Sequence, residues 1–269
     1  MKNEIRIRPR YYRRLPDAGV ELLESNGRHG WLDWALPMGQ VALVCIDLWD
    51  GDFPADMRAR DERVTVERIV PVVAACRRAG VTVVHAPAWP TAVRSSHWLN
   101  LVGGEQERTE YAGSPTWPPE EFRRREGEWA CFKRPVEARA AEWDQVNNPP
   151  GFHPLVRPAG SEPVIGSGEE LHRLCAERGW LHLVYVGFHT PGCVTNRTYG
   201  PVKMLPRGYT CVLLRDCTNG MESHETCVDQ ACMRGAIAFL EMTGVFTLTS
   251  EEWIEALGKA AGMGAVREP

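Results

Sequence analysis

Residues 187–200 read GFHTPGCVTNRTYG and follow an apolar run, LHLVYV (181–186). The stretch sets one of nine cysteines, Cys193, in a turn between a strand pattern and a helix-like segment. A thiol at the start of a helix sits near unpaired N–H groups and the positive end of the macrodipole, which stabilise a thiolate and lower its pKa. Two further groups hold comparable places. Asp47 closes the run VALVCID (41–47), and Lys133, with Arg134 beside it, closes EWACFK (128–133). Thiol, proton acceptor and cation form the set that a cysteine hydrolase needs. Arg134 stands as the alternative to Lys133 for the cation.

These groups converge only if the runs that precede them lie side by side. VALVCID (41–47), VTVVHAP (81–87), EWACFK (128–133), LHLVYVG (181–187), YTCVLLRD (209–216) and VFTLTS (245–250) read as six short strands. Helix-length segments separate most of them: 62–80, where Pro71 predicts a kink or a late start, 167–179, 193–208, and a stretch near 225–244. Ser167 followed by Glu170 reads as the start of the second. Strand alternating with helix predicts an α/β fold, a three-layer α/β/α sandwich with a six-stranded, mainly parallel sheet of order about 3-2-1-4-5-6. Ligands bind beyond the carboxyl ends of such strands, so Asp47, His85, Lys133 and Cys193 are expected at one edge. Residues 40–269 read as a single domain and residues 1–39 as an N-terminal arm. Irregular insertions near 88–127 and 134–166, with Trp89, Trp98 and Trp117 in the first, are long enough to be functional covers over a pocket or a subunit interface.

Composition narrows the class. A hydrophobic share of 43% and a charged share of 25% are those of an ordinary globular protein, and a net charge of −4 argues against a general nucleic-acid binder. The first fourteen residues are locally basic, which reads as a solvated arm or a subunit contact. The cysteines form no CxxC pair, so neither a disulfide framework nor a structural zinc site is expected, and a reducing cytoplasm is the default. No apolar run approaches the roughly 20 residues that span a bilayer. No Walker or dinucleotide glycine pattern occurs, so no nucleotide cofactor is expected. Asp216 and His224, after the fifth strand, read as structural polar residues.

The set IDLWDGDF, FKRP and GFHTPGCV resembles the isochorismatase-like hydrolase superfamily over roughly residues 40–250, in its cysteine-hydrolase branch of nicotinamidases and carbamoylsarcosine, ureidoacrylate and biuret amidohydrolases. Its most specific element is Gly-x-x-Thr-x-x-Cys-Val, matched by Gly187, Thr190, Cys193 and Val194. The resemblance implies Cys193 as nucleophile, Asp47 as general base and then acid, and Lys133 as the cation near both. It implies a cis peptide at Phe188–His189 and an oxyanion hole made by the amides of His189 and Cys193. Trp49, Phe53, His85, Trp89, Arg134 and Thr190 are the candidate pocket residues. Many members carry Gln where this chain has Trp49. The acid of the metal-binding members is missing near His85 and His97, so no metal is expected. The implied activity is hydrolysis of a C–N bond in a small amide or ureide through a Cys-linked thioester, by a homo-oligomer acting on a small molecule. The altered contexts of Trp49 and Lys133 leave a second reading open, a catalytically silent member that binds a metabolite or serves assembly.

Overall fold

The computed structural model describes residues 3–50, 54–103, 117–142 and 151–262. Among the described residues nine strands run in chain order. β1 (Glu4–Ile7), β2 (Arg10–Arg13), β3 (Arg28–Trp31) and β4 (Trp34–Pro37) precede β5 (Val41–Ile46), β6 (Thr82–Ala86), β7 (His182–Gly187), β8 (Thr210–Thr218) and β9 (Phe246–Leu248). The last five pair in parallel in the order β9-β8-β7-β5-β6, with Leu43 opposite both Val83 and Val184 at the centre.

Period-two alternation in β5 explains why the sheet is covered on both faces. Leu43 and Cys45 point into one cluster, whose helical side is α1 (Ala55–Val64), α2 (Val70–Ala79) and the C-terminal helix Ser250–Ala260. Ala42, Val44 and Ile46 point into the other, with Leu171, Leu174 and Cys175 of helix Gly168–Arg178, Met204, and Leu240 of helix Ala231–Thr243. Ser167 caps the helix it precedes by accepting from the Glu170 amide at 3.1 Å. Pro71 falls in the first turn of α2, after a π-helical turn at Thr65–Ile69 that joins it to α1.

Three sequence expectations change. The strand expected at EWACFK is a 3-10 turn, Gly127–Phe132, exposed to solvent. Its apolar residues Trp129 and Phe132, three apart, stack on each other, and Phe122 meets Trp129 edge-on, so the run packs locally and has no alternating face to bury. The helix expected over 193–208 is broken: a π turn over Thr190–Val194 runs on through Asn196, the chain then turns, and helix resumes at Pro201–Met204. Gly200 interrupts it, since a Cβ there would stand 2.3 Å from the Val194 carbonyl oxygen.

The third change concerns the arm. β1 and β4 pair as an antiparallel ribbon, while β2 pairs with β3 and, through Arg10 and Thr247, with the β9 edge, which makes the main sheet seven-stranded. Ile5, Ile7 and Leu36 enter the hydrophobic core. Its arginines are engaged at home: Arg10 with Glu241 at 2.8 Å, Arg13 and Arg28 with Asp17, Arg6 with Glu4 and Arg8 with Asp33. Ile5 has no exposed surface, so Ile5→Ala should cost about 2–5 kcal/mol in urea unfolding. A free arm would show almost no change.

Candidate active site

Asp47 follows the last residue of β5 and is completely buried. Its φ of 48° lies in the left-handed region, uncommon for a residue with a side chain and a frequent mark of functional positions. One carboxylate oxygen, Oδ2, accepts from Arg197 Nε at 3.1 Å and pairs with the same guanidinium's terminal nitrogen at 3.0 Å. The other, Oδ1, closes no hydrogen bond of ordinary length. The Cys193 thiol and the Ala88 amide are further polar groups acting on this carboxylate. Burial raises the Asp47 pKa, and Arg197 and the thiol oppose that rise without cancelling it.

The turn after β7 is built by close backbone approach. Gly187 has φ of 125°, and a Cβ there would sit 1.9 Å from the Ile46 carbonyl oxygen. No other residue type fits without separating β5 from β7. The next amide, of Phe188, donates to that carbonyl at 3.0 Å, and the Phe188–His189 peptide is cis. The His189 carbonyl accepts from Gly192 and Val194 at 3.0 and 3.1 Å, which curls the chain and presents Cys193 half-buried. Thr190 is tied to the end of β8: its N–H and Oγ1 reach the Asn219 carbonyl at 2.8 and 3.0 Å, and Oγ1 lies 2.7 Å from Thr218 Oγ1. The His189 backbone acts on the Cys193 thiol and lowers its pKa. A buried acid, a guanidinium and a thiol thus meet at the carboxyl ends of β5 and β7, a set suited to covalent acyl transfer.

The Isochorismatase domain profile matches residues 41–245, most of the chain. The chain belongs to the isochorismatase family. Among solved structures it is similar to a cysteine hydrolase from Pseudomonas syringae pv. phaseolicola 1448A, with a TM-score of 0.54 at 15% identity, covering 84% of this chain and 96% of that one. An isochorismatase family protein from Desulfovibrio vulgaris subsp. vulgaris str. Hildenborough gives a TM-score of 0.47 at 17% identity over 81% and 98%. The N-carbamoylsarcosine amidase from Thermoplasma acidophilum gives 0.44 at 15% over 79% and 97%. No curated protein matches the chain significantly. At these identities the likeness is one of fold, an isochorismatase-family hydrolase fold. The strands β1 to β4 lie ahead of the matched region.

Within this family frame, the expected cation is not where the sequence put it. Lys133 follows the exposed 3-10 turn and is itself exposed, and Arg134 is exposed with Glu137 at 3.8 Å. The cation on Asp47 is Arg197, four residues after Cys193 in the same stretch; one helical turn of spacing was the available signal. Trp49 lies beside the turn, its ring 6.2 Å from that of His189, and its backbone bridges Phe152. Phe53 falls outside the described residues. His85 is buried and donates from Nε2 to Glu162 at 2.9 Å; burial lowers its pKa. Glu162 is pushed up by burial, but hydrogen bonds from Arg77 and His85 bring it down to about 2. His97 donates to the Glu162 carbonyl at 3.1 Å. Trp89 packs edge-on against Trp98, whose indole donates to Glu170. Asp216 accepts from Ser250 at 2.7 and 2.6 Å, and His224 is exposed. Among the described residues no group of three or more His, Cys, Asp or Glu is placed to hold a metal ion.

The thiol departs from expectation. Burial first, then the charge of Asp47, push the Cys193 pKa up to about 12, against the lowering effects of Arg197 and the His189 backbone. The helical turn at its position is too short for a dipole to overcome these terms. A thiol held this high is protonated at neutral pH, and the charge of Asp47 is part of what holds it there. Two opposite shifts test this. Asp47→Asn removes the charge that raises the thiol pKa and should speed iodoacetamide alkylation of Cys193 at pH 8 severalfold. Arg197→Met should slow it. Equal rates in all three proteins would show the thiol uncoupled from both groups.

Proposed function

We propose that this protein is a cysteine hydrolase that cleaves a C–N bond of a small amide or ureide through a thioester on Cys193. The observation that carries the reading is the coupling of Cys193 to a fully buried Asp47 that is paired with Arg197. Asp47 takes the thiol proton as the sulfur attacks the carbonyl carbon. The backbone N–H groups of His189 and Cys193 hold the oxygen as it gains negative charge. Collapse of the adduct breaks the C–N bond, and Asp47 gives the proton to the departing nitrogen. Water then attacks the thioester and loses a proton to Asp47, which returns it to the sulfur as the acid leaves. A carboxyl group whose pKa is raised by burial is matched to this alternation between base and acid. Arg197 favours the carboxylate form and steadies its geometry; Lys133 has no part in the cycle.

The outer face of helix Ala231–Thr243 is apolar and open, with Phe239 and Met242 exposed, and it serves in this reading as a contact between copies of the chain. Nine free thiols fit a reducing compartment such as the cytoplasm. Among the described residues no helix is long and apolar enough to cross a membrane.

Ammonia release over a panel of small amides and ureides, with intact-mass detection of the acyl adduct, tests the chemistry. Cys193→Ser and Asp47→Asn should each lose about a thousandfold or more in kcat/KM, and Arg197→Met about a hundredfold. Lys133→Ala should stay within about threefold of the parent enzyme. Turnover that survives Cys193→Ser would sink the thioester mechanism. No turnover and no labelling of Cys193 would favour the catalytically silent reading.

A further inference from the structure

The turn that carries Cys193 is braced by a closed ring of hydrogen bonds that the reaction cycle above does not use. Asn219, just past β8, accepts the Thr190 N–H and Oγ1 on its carbonyl at 2.8 and 3.0 Å. Its side-chain Nδ2 donates to Asp61 Oδ1 at 2.6 Å. Asp61 Oδ2 accepts from His189 Nε2 at 2.9 Å, and His189 is bonded through the chain to Thr190, which closes the ring. All four residues are buried. Asp61 belongs to α1, so the brace joins three elements far apart in sequence: α1, the end of β8, and the nucleophile turn.

The ring has a chemical orientation. Two donors, the His189 ring N–H and the Asn219 amide, converge on Asp61, and a carboxylate offers an acceptor to each. A neutral amide at that position has one acceptor and would turn its NH2 on the other donor, leaving a buried mismatch. On the far side of the same residue, the His189 backbone is close enough to the Cys193 thiol to lower its pKa. The imidazole is thus the lever by which α1 fixes where that amide points. Trp49 and Phe188 flank the ring of His189, with centroids 6.2 and 5.8 Å away, so the lever is held by packing as well.

We propose that Asp61 is a positioning residue for the nucleophile, acting through the His189 side chain to aim the His189 amide at the sulfur and at the oxyanion site beside it. The proposal rests on the cysteine-hydrolase reading. It assigns Asp61 and Asn219 a role in the chemistry without contact with the substrate. A donor displaced from an oxyanion site typically costs a hundredfold or more in rate.

The test compares the full-length protein with Asp61→Asn and with the double variant Asp61→Asn/Asn219→Asp, in which the introduced amide can accept from His189 and donate to the introduced carboxylate. Iodoacetamide labelling of Cys193, mapped by peptide mass, is followed against pH alongside thermal unfolding. Asp61→Asn should move the alkylation profile up by about one pH unit, roughly a tenfold slower reaction at fixed pH. On any amide the enzyme turns over, kcat should fall about a hundredfold with KM little changed. The double variant should recover both. If Asp61→Asn does not fold, His189→Gln, which keeps an N–H for Asp61, against His189→Leu, which does not, reads the same contrast. A folded Asp61→Asn with the parent's alkylation profile overturns the proposal. So does a double variant that regains stability but not the profile, because the ring would then be structural only. Parent protein unlabelled at Cys193 at every pH would overturn the cysteine reading itself, and this proposal with it.

Discussion

A carboxylate with no exposed surface at the end of a central strand sets the terms for everything around it. Taking such a charge out of water costs several kcal/mol, and a structure that keeps it must supply a partner of good geometry. At Asp47 the partner is the two-point contact of Arg197, at 3.1 and 3.0 Å, on one carboxylate oxygen. The second oxygen is left without an ordinary hydrogen bond. The Cys193 thiol and the Ala88 amide are the carboxylate's other polar neighbours, so a proton can arrive from the sulfur. The raised pKa of Asp47 and the raised pKa of Cys193 express one physical fact, a buried pair for which the charged forms are hard to hold.

That fact explains the effort invested in the neighbouring backbone. The turn that carries Cys193 is fixed at both ends by contacts that tolerate little change. Gly187 lets β7 touch the Ile46 carbonyl, and Thr190 is fastened to Asn219 by two hydrogen bonds. The strand order β8-β7-β5 brings these contacts together, since the ends of three adjacent parallel strands supply Asn219, the turn and Asp47. The sheet therefore defines the distances within the site.

How much of this was legible in the sequence follows from the range of the forces involved. Apolar runs bounded by charge or glycine revealed the five parallel strands, because burial on both faces leaves a continuous hydrophobic signature, while their order was expected from the doubly wound pattern and holds once the EWACFK strand is removed. Asp47, His189 and Cys193 were legible as strand-end and turn residues. EWACFK misled because six mixed residues carry too little period to distinguish a strand from a 3-10 turn that packs on itself. The N-terminal strands were hidden by their arginines, since edge strands are often charged and their pairing with β9 is a long-range event. Arg197 and Asp61 were missed for another reason. Each is an ordinary charged residue on a helix-like segment, and its meaning comes from a partner about 130 to 150 residues away.

The identity of the cation changes how the site is assembled. A lysine on a separate rim segment would have made the charge balance of Asp47 depend on how that segment docks. Arg197 instead rides on the stretch that presents the thiol, and its backbone N–H donates to the Cys193 carbonyl at 2.9 Å. One short segment then delivers both the thiol and the counter-charge of Asp47, against a single fixed carboxylate. Guanidinium suits this better than ammonium, since its planar fork can hold one oxygen from two nitrogens and leave the other free for the thiol. It also relieves the segment around Lys133 of any duty at the carboxylate, which is consistent with its exposure and its self-contained aromatic packing. On the proposed chemistry, base, nucleophile and cation keep their mutual geometry through the β5–β7 pairing and the brace from Asn219 and Asp61 behind the turn.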